Sequence, residues 1–277
     1  MDTTLQALVM GIVQGLTEFL PVSSSGHLIL VPYLFGWTDP FITSLEFTVM
    51  LHIGTLVALL AYFRSDWLRL VPAGLATVRD RSFAGDPDRR LAWLVAAATV
   101  PAMVVAALFN DVIEDNVRQV GLVALMLVVG GAILWLAERN GPRTRSIGDM
   151  SFPIAVGIGA AQTLALVPGI SRSGISISAG LFAGLERASA ARFSFLMATP
   201  ITALAVAYEV LRFVSGTDSL KLEVVPLAVG VAASLISGFA AIAALLRFLR
   251  SNSVDVFVLY RVALALVVVV VWLGLGR

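Results

Sequence analysis

Six apolar stretches dominate this sequence, and each is long enough to cross a lipid bilayer, which takes about 20 apolar residues. They lie near residues 41–63, 91–109, 119–137, 193–213, 224–246 and 256–275. Only 13% of the residues are charged, against roughly 25% in a soluble protein. Because the bilayer offers no water to backbone polar groups, such spans fold as helices. We therefore expect an all-α polytopic membrane protein with six transmembrane helices.

Charge and cysteine content exclude several classes of protein. The net charge of +1 excludes a generally basic nucleic-acid binder. The absence of cysteine excludes disulfides and thiolate chemistry. The first residues lack a cationic region and a small-residue cleavage site, so we expect no removable signal peptide.

Four further apolar pieces are too short to cross the bilayer and come in two pairs. They cover residues 5–19, 22–35, 152–167 and 175–185. Polar turns at Pro21–Gly26 and Pro168–Gly174 break the two pairs near their middle. Each pair is typical of a re-entrant helical hairpin, and the alternative is one kinked spanning helix for each pair.

An offset of 148 residues overlays the two halves of the chain. The matching residues are Gly11/Gly159, Gln14/Gln162, Leu16/Leu164, Ser23/Ser171, Ser25/Ser173, Gly26/Gly174 and Phe47/Phe195, and Ser24 falls on Arg172. Each half then holds one hairpin and three spans, and an odd number of crossings inverts the second half. We predict one integral membrane domain over 1–277, with inverted repeats near 1–140 and 150–277.

Arginine placement predicts the orientation of the chain. One face collects the arginines of an expected 64–90 loop together with Arg139, Arg143, Arg145, Arg187, Arg192, Arg247 and Arg250. The other face has only Arg118, Lys221 and Arg277, and it carries Asp111, Glu114 and Asp115. The positive-inside rule makes the arginine-rich face cytoplasmic. Both termini then lie outside, and the two hairpins enter from opposite sides and meet within the membrane.

Gln14 and Glu18 are four residues apart and share one face of a short helix. Their oxygens suit a hard divalent cation such as Mg²⁺, which takes one or two carboxylates plus waters and substrate phosphates. Ionisable groups inside membranes are functional by default. The alternative is that Glu18 is a hydrogen-bonded packing carboxylate.

The first turn also predicts a nucleophile. Ser24 and His27 are three residues apart, so the imidazole can reach the hydroxyl within a helical turn and act as its base. The alternative for Ser23, Ser24 and Ser25 is helix capping, in which a serine accepts a backbone N–H bond, and we expect capping to explain at least one of them.

The second turn predicts a phosphate site. The Arg172 guanidinium matches phosphate oxygens bidentately, and Ser171, Ser173 and Gly174 surround it. A helix that starts at each turn adds free backbone N–H groups. The alternative is an ion pair between Arg172 and Glu18, and the two arrangements can coexist. Elsewhere, Glu46 and His52 lie on different faces of the first span, so each remains open to a site or a packing role.

The segments QGLTEFLPVSSSGHL and PGISRSG resemble the two signature segments of the undecaprenyl-diphosphate phosphatase family, also called bacitracin-resistance proteins. The resemblance covers essentially the whole chain. It implies hydrolysis of undecaprenyl diphosphate to the monophosphate, which recycles the lipid carrier of peptidoglycan synthesis in the bacterial inner membrane. The rival functions are a lipid-phosphate transporter or flippase, which also has inverted repeats, and an intramembrane serine protease.

The resemblance also implies residue roles. Gln14 and Glu18 correspond to the metal pair for Mg²⁺ or Ca²⁺, Ser24 to the nucleophile, His27 to its acid/base partner and Arg172 to the diphosphate clamp. Ser23, Ser25, Ser171, Ser173 and Gly174 complete the expected substrate contacts. Many members have glutamate at the position of Gln14, which puts a second carboxylate ligand in doubt. The expected partners are a polyprenyl diphosphate and membrane lipids, with no nucleic acid, and the sequence leaves a homodimer open.

Overall fold

The structure, a computed structural model, describes residues 1–83, 85–116, 119–214 and 223–275. Within these residues the chain forms twelve α-helices and two short 3-10 helices. The α-helices are α1 (Thr3–Phe19), α2 (Ser24–Phe35), α3 (Leu45–Met50), α4 (His52–Tyr62), α5 (Arg64–Asp80), α6 (Pro87–Asn116), α7 (Val120–Asn140), α8 (Phe152–Gln162), α9 (Arg172–Phe182), α10 (Arg187–Val214), α11 (Val224–Phe248) and α12 (Asp255–Leu275). The 3-10 helices are Ile147–Asp149 and Thr163–Leu166.

Six helical segments within this part of the chain are long and apolar enough to cross a membrane. They are Leu45–Tyr62, Pro87–Leu108, Val120–Asn140, Arg187–Arg212, Val224–Phe248 and Asp255–Gly274. Each coincides with a predicted span, so the prediction of an all-α polytopic membrane protein is confirmed. The first span consists of α3 and α4, which are separate helices that meet at Leu51.

The four shorter apolar pieces form the two helix pairs that flank the polar turns. The first pair is α1 and α2, and the second is α8, its 3-10 extension and α9. The turns touch, because the Gly169 N–H donates to Ser23 Oγ at 3.1 Å and the Ser173 hydroxyl donates to the Leu20 carbonyl at 3.0 Å. Re-entry of the pairs into a membrane and the inverted orientation of the two halves stay predictions.

Both turns end in a serine with an unusual backbone. Ser23 has φ 78° and Ser171 has φ 76°, a region that side-chain-bearing residues seldom occupy. Each serine caps the helix that follows, since its hydroxyl accepts the N–H of Gly26 at 3.3 Å or of Gly174 at 3.1 Å. A residue in such a conformation costs about 1–3 kcal/mol and persists only where its surroundings hold it.

The first helix of each pair packs closely on a helix from the other half of the chain. Helix α1 lies along α11, and α8 lies along α6. A Cβ atom added at Gly11 would lie 2.1 Å from the Gly230 carbonyl oxygen, and one at Gly159 would lie 2.0 Å from the Ala98 oxygen. Only glycine permits such backbone contact, as is common between membrane helices.

Aromatic packing fixes the end of α1. Phe19 has no exposed surface and meets the ring of Phe195 on α10 edge to face, with centroids 5.4 Å apart. Phe63 packs on the same Phe195 ring. This cluster holds the residue before Phe19, the carboxylate Glu18, at a defined place in the bundle.

The 64–90 segment was expected to be an arginine-rich loop, and that expectation was wrong. Helix α5 occupies most of it, with an exposed apolar face formed by Leu68, Val71, Leu75 and Val78. The spacing of these four residues is that of one helix face, while its charged residues pair, as in the contact between Arg69 and Asp66. The helix was missed because its charge makes it too polar for a span.

Ion pairs join several arginines of the predicted cytoplasmic face to carboxylates in two groups. Arg192 on α10 pairs with Asp66 on α5 at 2.6 Å, and Arg187 and Arg143 both pair with Glu138 on α7. The residues that predict the opposite face lie outside the part of the chain that the structure describes. Arg118, Lys221 and Arg277 are not described, and neither are the side chains of Asp111, Glu114 and Asp115. The side of the membrane that each face occupies therefore stays a prediction.

The close approach of α8 to α6 yields a stability prediction. Gly159→Ala should lower the melting temperature in detergent, because overpacking a close contact costs about 1–3 kcal/mol. Gly157→Ala, on the same helix, is the matched control, since a Cβ there meets no atom of the described residues within 4 Å and alanine is the better helix former. Equal melting temperatures for the two variants would contradict the close contact between α8 and α6 at Gly159.

Candidate active site

A cavity of about 260 Å³ lies where the two turns meet. Its apolar lining comes from α6, α10 and the end of the second pair's first helix. Its polar lining consists of Glu18, Ser24, Ser25, His52, Gln162, Ser171, Arg172 and Thr202. The cavity therefore draws polar groups from both turns and from two of the spanning segments.

The Glu18 carboxylate is the centre of the polar network. Its Oε1 accepts from the Arg172 guanidinium, and its Oε2 accepts from the Ser24 hydroxyl at 2.5 Å and from the Gln14 amide at 3.1 Å. The Nε2 atom of His52 lies 3.5 Å from the same Oε2. Only 5% of the Glu18 side chain is exposed. Because little water reaches the carboxylate, these partners must stabilise its negative charge.

The Arg172 guanidinium, which contacts Glu18 through Nη2, is held through Nη1 by α10. Its Nη1 donates to Thr202 Oγ1 at 2.7 Å and to the Ala198 carbonyl at 3.3 Å. Helix α10 therefore fixes one edge of the guanidinium while Glu18 receives another. Since 20% of the side chain stays exposed, the cation remains accessible from the cavity, as an anion site requires.

Comparison with known protein families identifies the family of the chain. A family profile described as bacitracin resistance protein BacA matches residues 7–267. The chain belongs to this family.

Named relatives match along nearly their whole length. The chain is 45% identical to an undecaprenyl-diphosphatase of Desulforudis audaxviator over 271 residues, which is 98% of each chain. It is 45% identical to one of Gemmatimonas aurantiaca, covering 96% of this chain and 97% of the relative. It is 43% identical to one of Moorella thermoacetica, covering 98% and 99%.

In this BacA-family protein, the expectation that His27 contacts the Ser24 hydroxyl was wrong. The Ser24 hydroxyl donates to Glu18. The His27 Nδ1–H donates to the Ser23 carbonyl at 2.7 Å, because a carbonyl can only accept. The other ring nitrogen, Nε2, then accepts the Tyr260 hydroxyl at 2.7 Å. Both nitrogens are engaged away from Ser24, and the buried ring stacks on Tyr260 with centroids 5.6 Å apart.

Some of the serines line the cavity and some join or cap the turns, and Ser171 does both. Ser25 and Ser171 line the cavity as expected. Ser23 and Ser173 are buried and bind the opposing turn, and the Gly174 amide is taken by the Ser171 hydroxyl. Ser23, Ser173 and Gly174 are not among the residues that line the cavity, and their polar groups join and cap the turns. Their contact with substrate stays a prediction.

Three cavity residues were missed or left undecided. His52 is the first residue of α4, and its Nε2 lies 3.5 Å from Glu18 Oε2. Thr202 was not singled out. Gln162, the counterpart of Gln14 in the second half, is buried, and neither its amide nitrogen nor its oxygen has a partner among the described residues. The predicted repeat was the signal that could have identified Gln162.

The predicted metal pair offers few ligands, and only Glu18 of the pair lines the cavity. Gln14 Oε1 is buried and has no partner among the described residues. The nitrogen of the same amide donates to Glu18. The described residues contain no cluster of three or more His, Cys, Asp or Glu. Glu18 and Gln14 thus supply two oxygens, which suits Mg²⁺ or Ca²⁺ only if waters and phosphate oxygens complete the shell.

The contact of His27 with Tyr260 can be tested by a double-mutant cycle. His27→Ala and Tyr260→Phe remove the same hydrogen bond, so the double variant should lose less unfolding free energy than the sum, with a coupling of about 1 kcal/mol. The measurement is denaturant unfolding in mixed micelles. Tyr208→Phe is the control, because its side chain is 57% exposed. Additive losses would show that the two residues do not support each other.

Proposed function

We propose that this protein is an integral membrane phosphatase that hydrolyses undecaprenyl diphosphate to undecaprenyl phosphate and inorganic phosphate. This reaction recycles the lipid carrier of peptidoglycan synthesis and confers bacitracin resistance. The observation that carries the proposal is the Glu18 carboxylate, which receives the Ser24 hydroxyl on one oxygen and the Arg172 guanidinium on the other. Full-length similarity to proteins named undecaprenyl-diphosphatase supports it.

The hydrogen bond from Ser24 to Glu18 supports a nucleophilic role for Ser24. The Ser24 proton passes to Glu18, the Ser24 oxygen bonds to the terminal phosphorus, and the bond from that phosphorus to the bridging oxygen breaks. Undecaprenyl phosphate leaves with the bridging oxygen. Water then cleaves the phosphoserine, which releases inorganic phosphate and restores the Ser24 hydroxyl. Glu18 takes the role of base that the sequence had suggested for His27.

Phosphoryl transfer depends mostly on positioning and electrostatic stabilisation. Arg172 binds phosphate oxygens from its tether on Thr202, and the first amides of α2 and α9 have no partner within their helices. Gln162 and Ser25 offer further polar groups in the cavity. Mg²⁺ or Ca²⁺ bound to Glu18 and Gln14 would neutralise phosphate charge. His27 and Tyr260 hold the first turn in shape.

The decisive experiment measures phosphate release by purified protein from a polyprenyl diphosphate. We expect release that depends on a divalent cation and stops with EDTA. Ser24→Ala should reduce the rate at least about 1,000-fold, because removing a nucleophile costs that much or more in other hydrolases. Ser237→Ala is the matched control, since its hydroxyl bonds to the Ala233 carbonyl within α11.

Two further outcomes discriminate between mechanisms and functions. Labelled phosphate trapped on the wild-type protein, and lost in Ser24→Ala, supports the phosphoserine step. Release without a trapped intermediate, together with slow Ser24→Ala, favours direct attack by a water that Ser24 only orients. No release under any divalent-cation condition would overturn the phosphatase and favour a lipid-phosphate transporter.

We also propose that the protein lies in the bacterial inner membrane with both termini outside and the cavity reached from outside. The gathering of arginines at one face supports this orientation through the positive-inside rule. The cavity would receive the diphosphate while the polyprenyl tail stays among membrane lipids. A homodimer stays a prediction.

Cysteine labelling tests this orientation, because the natural chain has no cysteine. In spheroplasts, a membrane-impermeant thiol reagent should label Asp2→Cys at once. Thr144→Cys is the matched probe, since its side chain is exposed beside the arginines of the opposite face. It should react only after permeabilisation. The reverse pattern would invert the proposed topology.

A further inference from the structure

Arg261 on α12 is a cation with no exposed surface inside an apolar spanning segment. No carboxylate of the described residues lies within ion-pair distance of it. An apolar side chain would be the cheaper occupant of such a position, because a buried charge without a counter-charge is costly. The residue therefore calls for a role beyond packing.

The Arg261 guanidinium binds backbone carbonyls of both turns. Its Nη1 donates to Pro21 of the first turn at 3.2 Å, and its Nη2 donates to Gly169 at 2.7 Å and Ile170 at 3.0 Å in the second turn. Its Nε and Nη2 also donate to the Leu127 and Met126 carbonyls of α7. Five carbonyls thus take the place of a counter-ion, and they join two turns about 150 residues apart to one side chain.

Helix α7 leaves room for this contact at one residue. A Cβ atom added at Gly130 would lie 2.2 Å from Arg261 Nη2 and 2.6 Å from the Ile170 oxygen. A Cβ at Gly131 would lie 3.7 Å from Arg261 Nε, an ordinary contact distance. The guanidinium therefore fills the space where a side chain at position 130 would stand.

The bond from Arg261 to Ile170 sets the direction of the next amide. In a trans peptide the N–H points opposite to the C=O. Because the Ile170 carbonyl points at Arg261, the Ser171 N–H points away from it, and Ser171 lines the cavity. The helix that starts there carries Arg172 as its first residue. A shift of this peptide would move both the amide and the phosphate-binding cation.

We propose that Arg261 is a positioning residue for diphosphate binding, which fixes the two turns so that their first amides, Ser24 and Arg172 face one phosphate group. Arg261 is not among the residues that line the cavity, so it acts through the turns. This inference rests on the proposed function and assigns α12 a part in it.

Two pairs of variants test the proposal by phosphate release from a polyprenyl diphosphate. Arg261→Met should lower kcat about 100-fold per folded molecule, the size of loss that a misplacement of about 1 Å can cause. Arg261→Lys should recover part of it, because an ammonium keeps the charge but offers three donors. Gly130→Ala should lose kcat similarly, while Gly131→Ala should stay within about twofold of wild type.

Pyrophosphate binding provides a readout that does not need catalysis. Pyrophosphate should raise the melting temperature of the wild-type protein and of Gly131→Ala, and much less that of Gly130→Ala and Arg261→Met. A merely structural Arg261 would lower the folded amount and leave kcat per folded molecule and the pyrophosphate shift unchanged. Should Arg261→Met fail to fold, the Gly130→Ala and Gly131→Ala comparison decides.

The outcomes separate this inference from the proposed function. A wild-type protein that binds pyrophosphate but releases no phosphate would overturn the phosphatase alone. An active wild type with Arg261→Met within about threefold of its kcat, or with equal losses in Gly130→Ala and Gly131→Ala, would overturn the positioning role alone. A wild type that neither binds pyrophosphate nor releases phosphate overturns both.

Discussion

The contact between Glu18 and Arg172 joins two parts of the chain that are 154 residues apart in sequence. Each group alone would be a costly buried charge in an apolar bundle, and each removes that cost from the other. The two turns must therefore meet for either charge to be tolerated. The carbonyls that surround Arg261 add a second connection between the same turns. The two arginines thus connect the turns whose residues line the cavity.

The backbone strain of the turns serves the same arrangement. Ser23 and Ser171 hold positive φ angles, and each begins a helix whose first amides have no partner within that helix. Capping by their hydroxyls offsets part of the cost of these conformations. The Ser23 hydroxyl also accepts the Gly169 amide of the other turn, so local capping and the joining of the turns depend on one atom. A phosphate group would find two helix N-termini already in place.

Much of this structure follows from local patterns in the sequence. Apolar length predicts the six spans. The spacing of Gln14 and Glu18 predicts that they share a helix face, where the Gln14 amide donates to Glu18 Oε2. What local patterns miss are partners set by distant packing. Spacing alone placed His27 beside Ser24, but Tyr260, 233 residues away, holds its ring. His52 lies on another helix than Glu18, so no local spacing predicts that its Nε2 lies 3.5 Å from Glu18 Oε2.

The two turns carry different residues at corresponding positions, and this difference lets one carboxylate bind to both turns. Ser24 and Arg172 are each the first residue of the helix after a turn, and an offset of 148 residues relates them. Two serines at these positions would give hydroxyls without a cation, and two arginines would give cations without a nucleophile. With one of each, Glu18 accepts from the serine on Oε2 and from the arginine on Oε1. Under the proposed phosphatase mechanism, a phosphate that binds Arg172 would weaken its ion pair with Glu18, and Glu18 would then be free to take the Ser24 proton.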